Sequence, residues 1–393
     1  MANRHLVWVS LIVITGVWSP YNSARATDLL MPEQFLQFDA SSKETIDYAV
    51  LTLWLRSAVV DLGRSDRGKA AHTQASIGTR IKPKFNRSTI YEGNRVFFEA
   101  LEDNEDSRQL LRDIRKRLEQ LPDAAPLNTF SRTEQLAYWL NLYNFTLLDE
   151  IASVYPIRDL TDLMAGDDSV LSRKLLRVSG IDLSLNDIQF TILKNNYDNN
   201  PLVIYGLYQG IIGGPNIRRG AYTGANVYSA LADNAKEFIN SNRGTSGRGE
   251  RAATFNVSSF YARNESYFPD FAEDLSAHLL KYIEGPEVDQ LRAASTLNPS
   301  INDWTVTDLF GTYPEVRNGV ATNPAALLGA LTSTSPASVS GRSASLARNA
   351  ARSSKHGPEA FRHLMILNAK WIEANKKRST VTVDDLEDGT GPE

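Results

Sequence analysis

The chain has 393 residues, of which 42% are apolar and 22% charged, with a net charge of −4 and no cysteine. That length supports a large core in two or three structural units. The absence of cysteine excludes disulfides, a thiol nucleophile, Cys-based zinc sites and iron–sulfur centres, and a mildly acidic chain is poorly suited to nucleic acid.

Residues 1–5 include Arg4, residues 6–18 are apolar apart from Ser10, Thr15 and Gly16, and Ala24 and Ala26 stand in an A-x-A arrangement before Thr27. A basic start, a short apolar run and small residues at a cleavage point predict a secretory signal peptide over 1–26. Thirteen residues are too few to span a bilayer comfortably; an uncleaved anchor is the alternative. Cleavage removes Arg4 and Arg25 and no acid, so the 42 basic residues fall by two against 46 acidic ones. The expected destination is the periplasm or the medium, with no integral membrane span after cleavage.

Residues 27–125 read as an N-terminal helical region with a long basic loop. Ser41 and Glu44 have capping-box spacing ahead of a helix over 41–60. Residues 63–92 form the loop, with one short strand near 79–85. NRVFFEALED and SRQLLRDIRKRLEQL predict two helices, the second ending before Pro122. The Arg clusters at 64–67 and 108–117 are interleaved with acids or glycine and read as solvated faces.

Residues 126–310 read as the core. The firmest element is 131–155, where Ser131 and Glu134 form a capping box and Leu136, Leu140, Tyr143, Leu147, Ile151 and Val154 step by three or four. Pro156 stops it, and Trp139 and Leu142 extend the apolar surface round the other side, so the helix is expected to be buried. A hairpin turns at Ser179-Gly180, and a helix capped by Ser184 or Asn186 follows. An apolar, β-friendly run at 202–212 leads into Gly213-Gly214-Pro215. A helix stopped by Gly244, a strand over 254–261 and a helix over 271–283 complete the core. Residues 311–357 read as a flexible linker. Residues 358–393 read as an amphipathic helix over 358–378, bearing Phe361, Leu364, Ile366, Leu367, Trp371 and Ile372, and an acidic tail. The fold class is α+β: one helix-rich main domain with a small antiparallel sheet, a linker and a C-terminal helix.

Few residues offer chemistry. Asn141 and Asn144 are three apart on the predicted helix, with Glu134 two turns earlier on roughly the same stripe. Buried amides need partners, so the pair either ties down loop backbones, the Gly-Gly loop being one candidate, or lines a site. Gly206, Gly210, Gly213 and Gly214 permit close backbone approach or positive φ. With Arg218 and Arg219 they suggest an anion cradle or, equally, a packing turn. His72, His278, His356 and His363 show no metal-ligand spacing and read as surface or capping residues. The adjacent pairs Asp167-Asp168 and Glu273-Asp274 diverge and make poor acid–base pairs.

SRTEQLAYWLNLYNFTLL resembles the signature helix of the domain-of-unknown-function 547 family, S-R-x-E-x-L-A-[FY]-W-I-N-L-Y-N-A. VSGIDLSLNDIQFTIL and GAYTGANVYSAL are similar to that family's G-x-x-[LF]-S-L-x-D-I-E-x-x-I-L and E-A-Y-T-x-x-x-L-x-x-Q-L segments, and TFNVSSFYARNESYF and INDWTVTDLFG resemble later ones. The resemblance spans residues 80–310. Its members usually carry P-R-x-H-F-A-L and two cysteines before a proline. Here Pro201 and Pro215 are kept, but Leu202 stands for the Arg, Ile204 for the His, and Gln209 and Gly214 for the cysteines; Gln189 replaces a Glu. A Cys and a His on that unit would make a thiol–imidazole pair, which this chain lacks.

The expected function is therefore an exported, non-catalytic binding or structural protein without a cofactor. Its partner would be a small ligand or an envelope protein, and the chain is expected to be monomeric or weakly dimeric. Its site or structural centre would be Glu134, Trp139, Asn141, Tyr143, Asn144, Gly213, Gly214, Pro215 and Tyr222. The alternatives are a hydrolase or transferase using Glu134, Tyr222 or Asp187, and a module held at a membrane by residues 6–18.

Overall fold

A computed structural model describes residues 33–69, 86–102, 105–247 and 254–309. The signal segment, the strand near 79–85, His72, the linker, the C-terminal helix with His356 and His363, and the acidic tail lie outside the described residues.

Helices α1 (Ala49–Ala58), α2 (Glu99–Glu102) and α3 (Glu105–Ala124) precede the central helix α4 (Arg132–Val154). A short α5 (Thr161–Met164), a π-helix at Asp187–Leu193 running into α6 (Lys194–Asn196), and then α7 (Val227–Ile239), α8 (Ser259–Arg263), α9 (Phe271–Leu280) and α10 (Glu287–Ala293) follow. The strands are sparse. β1 (Val59–Val60) pairs antiparallel with β2 (Arg95–Val96), and β3 (Leu176–Val178) with β4 (Ile181–Leu183). β5 (Thr245–Ser246) pairs antiparallel with β6 (Thr254–Ser258), which runs parallel to β7 (Thr296–Ile301). The protein is thus helix-rich α+β, with several small sheets in place of the expected one.

Helix α4 forms as its sequence predicts. The Ser131 hydroxyl accepts the Glu134 N–H at 3.3 Å, and residues 134–148 are all buried. It is buried on every side because α3, α7 and the 201–208 segment all pack on it, joining one core cluster that runs from Phe35 to Val306. A second cluster lies among α7, α8, α9 and β6, and Leu202 touches both. Burying each large apolar side chain contributes about 1.5–3 kcal/mol.

Several elements depart from the expectation. Helix α1 begins at Ala49, eight residues after Ser41. The Ser41 hydroxyl is turned to Asp39, and the Ile46 N–H is drawn 3.2 Å to Glu134 of α4, which holds this stretch out of a helix. Helix α3 runs through Pro122 to Ala124. The proline withdraws one donor from the Leu118 carbonyl, and the Tyr138 hydroxyl of α4 donates to that oxygen at 3.0 Å instead. The 201–206 stretch winds as a 3₁₀ helix, Pro201–Gly206, capped by Asn200. Helix α7 ends at Ile239, ahead of Gly244, because Arg67 donates to the carbonyls of Ile239, Ser241 and Thr245. Arg67 and Arg115 are accordingly not solvated: Arg115 joins α3 to Asp149 and Glu150 of α4, each at 2.9 Å. Ser184, not Asn186, caps the π-helix, in a reciprocal box with Asp187.

The hairpin turns at Ser179 and Gly180, both at positive φ, as expected. The segment 303–307 lies between two others. Leu160 N–H donates to Trp304 O and Val306 N–H to Arg158 O on one side. Ile212 N–H donates to Thr305 O, Gly213 N–H to Asp303 O, and Thr307 N–H to Gly210 O on the other.

Candidate functional site

Helix α4 brings Glu134, Asn141 and Asn144 into contact with three separate stretches of chain. The Glu134 carboxylate accepts the Ile46 N–H through Oε1 at 3.2 Å and the Gly224 N–H through Oε2 at 2.9 Å. This is why the predicted capping box is only half made: the Ser131 side is formed, but the carboxylate is committed elsewhere. Asn141 donates to Tyr222 O at 2.8 Å and accepts the Tyr222 N–H at 3.0 Å. Asn144 donates to Gly206 O and accepts the Tyr208 N–H, both at 2.9 Å. Both amides are buried, and each makes the paired donor–acceptor contact that a neighbouring strand would make. They hold residues 206–208 and 222, not the Gly-Gly turn.

The other expected residues sit around this frame. Trp139 is fully buried edge-on to Phe35, with ring centroids 5.2 Å apart, and its indole N–H has no hydrogen-bond partner among the described residues. Tyr143 is buried, which pushes its hydroxyl well above the usual tyrosine range. The Tyr222 hydroxyl accepts from Asn234 at 3.3 Å, its pKa is pushed up to about 12 by burial, and the Arg218 guanidinium lies over its ring at 5.4 Å. Gly213, Gly214 and Pro215 are buried, and Gly213 lies against the 303–307 segment.

The Gly-Gly turn is closed to an anion. The Gly213 N–H is taken by Asp303 O at 2.9 Å and the Gly214 N–H by Ile211 O at 3.2 Å. A Cβ on Gly213 would lie 2.7 Å from the Asp303 carbonyl oxygen and 2.9 Å from its nitrogen. Both are backbone atoms that cannot swing aside, so Gly213→Ala should cost about 2 kcal/mol by overpacking. The shift of the urea unfolding midpoint measures this; an unchanged midpoint would show that the 303–307 segment gives way freely.

The two positions that the resemblance pairs with cysteines face each other. A Cβ on Gly214 would lie 3.1 Å from the Gln209 Cβ, slightly inside the Cβ–Cβ spacing of a disulfide, about 3.5–4.5 Å. Here Gln209 accepts from Arg263 at 2.7 Å, and Ile204, at the histidine position, is packed into the second core cluster. Asp187 is occupied with the Ser184 N–H and hydroxyl and with Lys174.

Two polar clusters escaped the sequence reading. Arg243, 1% exposed, donates to Gly214 O at 2.6 Å and to both oxygens of Glu237. The Glu92 carboxylate, 4.0 Å from the Arg243 Nε, accepts the N–H groups of Asn242 and Arg243 at 3.1 Å. Burial raises the pKa of both Glu92 and Glu237, and Arg243 opposes it. His278 is not a surface residue. It is 4% exposed, stacks on Tyr205 with centroids 5.6 Å apart, and its Nε2 lies 3.0 Å from the Tyr205 hydroxyl, which meets Tyr261 at 3.2 Å. Burial lowers its pKa to about 4, so the imidazole is neutral at pH 7. It lines a cleft with Asn199, Phe268, Asp274 and Lys281. Nothing in the local sequence marks either cluster, since their members lie in unrelated stretches. Among the described residues no three His, Asp or Glu come together as metal ligands.

These features define a helix-rich α+β protein organised on one buried helix whose polar residues grip backbone. Residues 127–239, from the turn before α4 to the last residue of α7, match the family model described as "Protein of unknown function, DUF547". No curated protein and no solved structure matches the chain.

Proposed function

We propose that this chain is an exported, non-catalytic binding or structural protein, built on the family's frame with its reactive positions emptied. The observation that carries the reading is that Glu134, Asp187 and Tyr222, the groups named above as candidates for cysteine-free catalysis, are each engaged in holding the fold. Glu134 fixes two backbone N–H groups, Asp187 caps a helix, and Tyr222 keeps a neutral, buried hydroxyl. The occupied Gly-Gly turn supports the same reading, because its amides meet the chain itself. The export half rests on the signal-like residues 1–26. Among the described residues no helix is long and apolar enough to cross a membrane.

The test assays the purified chain on ester and amide panels. No turnover is expected, and Glu134→Gln should change stability only. Turnover that survives iodoacetamide and vanishes in Glu134→Gln would overturn the proposal. The mass of the exported protein should begin at Thr27; an intact residue 1 would favour the membrane-held alternative.

A further inference from the structure

An apolar groove runs between α1 and α3 and is open in the described part of the molecule. Tyr48, Val50 and Leu51 form one wall and Leu110, Ile114 and Leu118 the other, around a space of about 200 Å³. Val50 is 50% exposed, Leu53 beside it on α1 65%, and Leu110 46%. Large apolar side chains grouped in this way mark a surface that something covers. The rim carries two carboxylates, Asp47 and Asp113, and one guanidinium, Arg117.

The chain itself supplies an occupant of matching shape and charge. It continues for 84 residues past residue 309, and the sequence predicts an amphipathic helix over 358–378. Phe361, Leu364, Leu367 and Trp371 step by three, three and four along one stripe. Such a stripe needs a surface to bury against, because a helix of this length is marginal alone in water. At about 1.5 Å per residue the stripe is about 15 Å long, the length of the ten-residue α1 that walls the groove. The segment is basic, with Arg362, Lys370, Lys376, Lys377 and Arg378 against Glu359 and Glu373, and so complements the rim. The intervening 48 residues reach about 40 Å even as a coil. Such a tether holds the segment at an effective concentration near millimolar.

We propose that residues 358–378 dock as a helix in the α1–α3 groove of the same chain, with Leu364, Leu367 and Trp371 covering Val50, Leu53 and Leu110. Docking makes the groove an internal interface, with the linker looped out.

The cysteine-free background allows a direct test on the full chain. Leu110→Cys is combined in turn with Leu364→Cys, Leu367→Cys and Trp371→Cys, and oxidised at low micromolar concentration. At least one pair should form an intramolecular disulfide at tenfold or greater yield than the same partners combined with Tyr228→Cys, an exposed control on α7. Equal yields at the two sites, or bonding only between chains, would overturn the proposal, the second result placing another copy in the groove. Hydrogen exchange gives an independent readout. Amides of 358–378 should exchange at least tenfold more slowly than free peptide, and Leu110→Glu should abolish that protection while leaving the Tm of the main domain unchanged. Unprotected amides in the unaltered chain, or protection that survives Leu110→Glu, would refute it.

Discussion

Replacing Asn144 by alanine is expected to destabilise the fold by about 3 kcal/mol. The change strands two buried backbone groups at once, the Gly206 carbonyl and the Tyr208 N–H, now held at 2.9 Å each. A buried polar group left without a partner costs about 1–3 kcal/mol, and Asn144 is buried. Asn141→Ala should cost a similar amount, since it strands both backbone groups of Tyr222. Urea unfolding at pH 7 measures both. A neutral result would mean that the loops hold their conformation unaided, and would free the amides for a ligand-facing role.

Arg243→Met is expected to cost about 3–5 kcal/mol at pH 7, because it leaves buried carboxylates without their counter-charge. Glu237 loses both of its charge-assisted bonds, Glu92 loses its nearest cation, and Gly214 O loses its donor. The loss should depend on pH with a definite sign. Both carboxyls already have pKa values raised by burial in the native protein, and removing the arginine raises them further. A group whose folded pKa lies above its unfolded value favours folding fully below the unfolded value, about 4.3 for Glu, and loses that contribution as pH rises through the folded value. The variant should therefore fall progressively further behind the parent as pH rises from about 4 towards 7. Unfolding midpoints of both proteins at pH 4.5 and 7 provide the comparison; a deficit independent of pH would show that the methionine costs packing only.

The parts of this fold that were legible in the sequence are those decided within a few residues. Ser131, the stepping from Leu136 to Val154, and Pro156 define α4 without help from elsewhere, and Ser179-Gly180 defines the hairpin. Three of the failures share one cause. Residues 41–48 stay non-helical because Glu134, 88 positions from Ile46, captures an N–H there. Pro122 sits inside α3 because Tyr138 serves the carbonyl it abandons. Arg67 ends α7 from 172 residues away. Each is a long-range hydrogen bond to backbone, which leaves no periodic trace. The site residues were legible as an unusual polar stripe in an apolar helix. Their partners were not, because a backbone group has no identity in a sequence.

The 303–307 segment sets a limit on when this protein can finish folding. Gly210, Ile212 and Gly213 wait for hydrogen-bonding groups roughly 90 residues later in the chain, and Arg158 and Leu160 for groups roughly 145 residues later. Until those emerge during synthesis, the Ile212 and Gly213 amides lack their partners and the centre of the molecule stays unsealed. Closure at such sequence separation is slow and late. A chain made in order from its N-terminus can therefore close its centre only after residue 307 has been made.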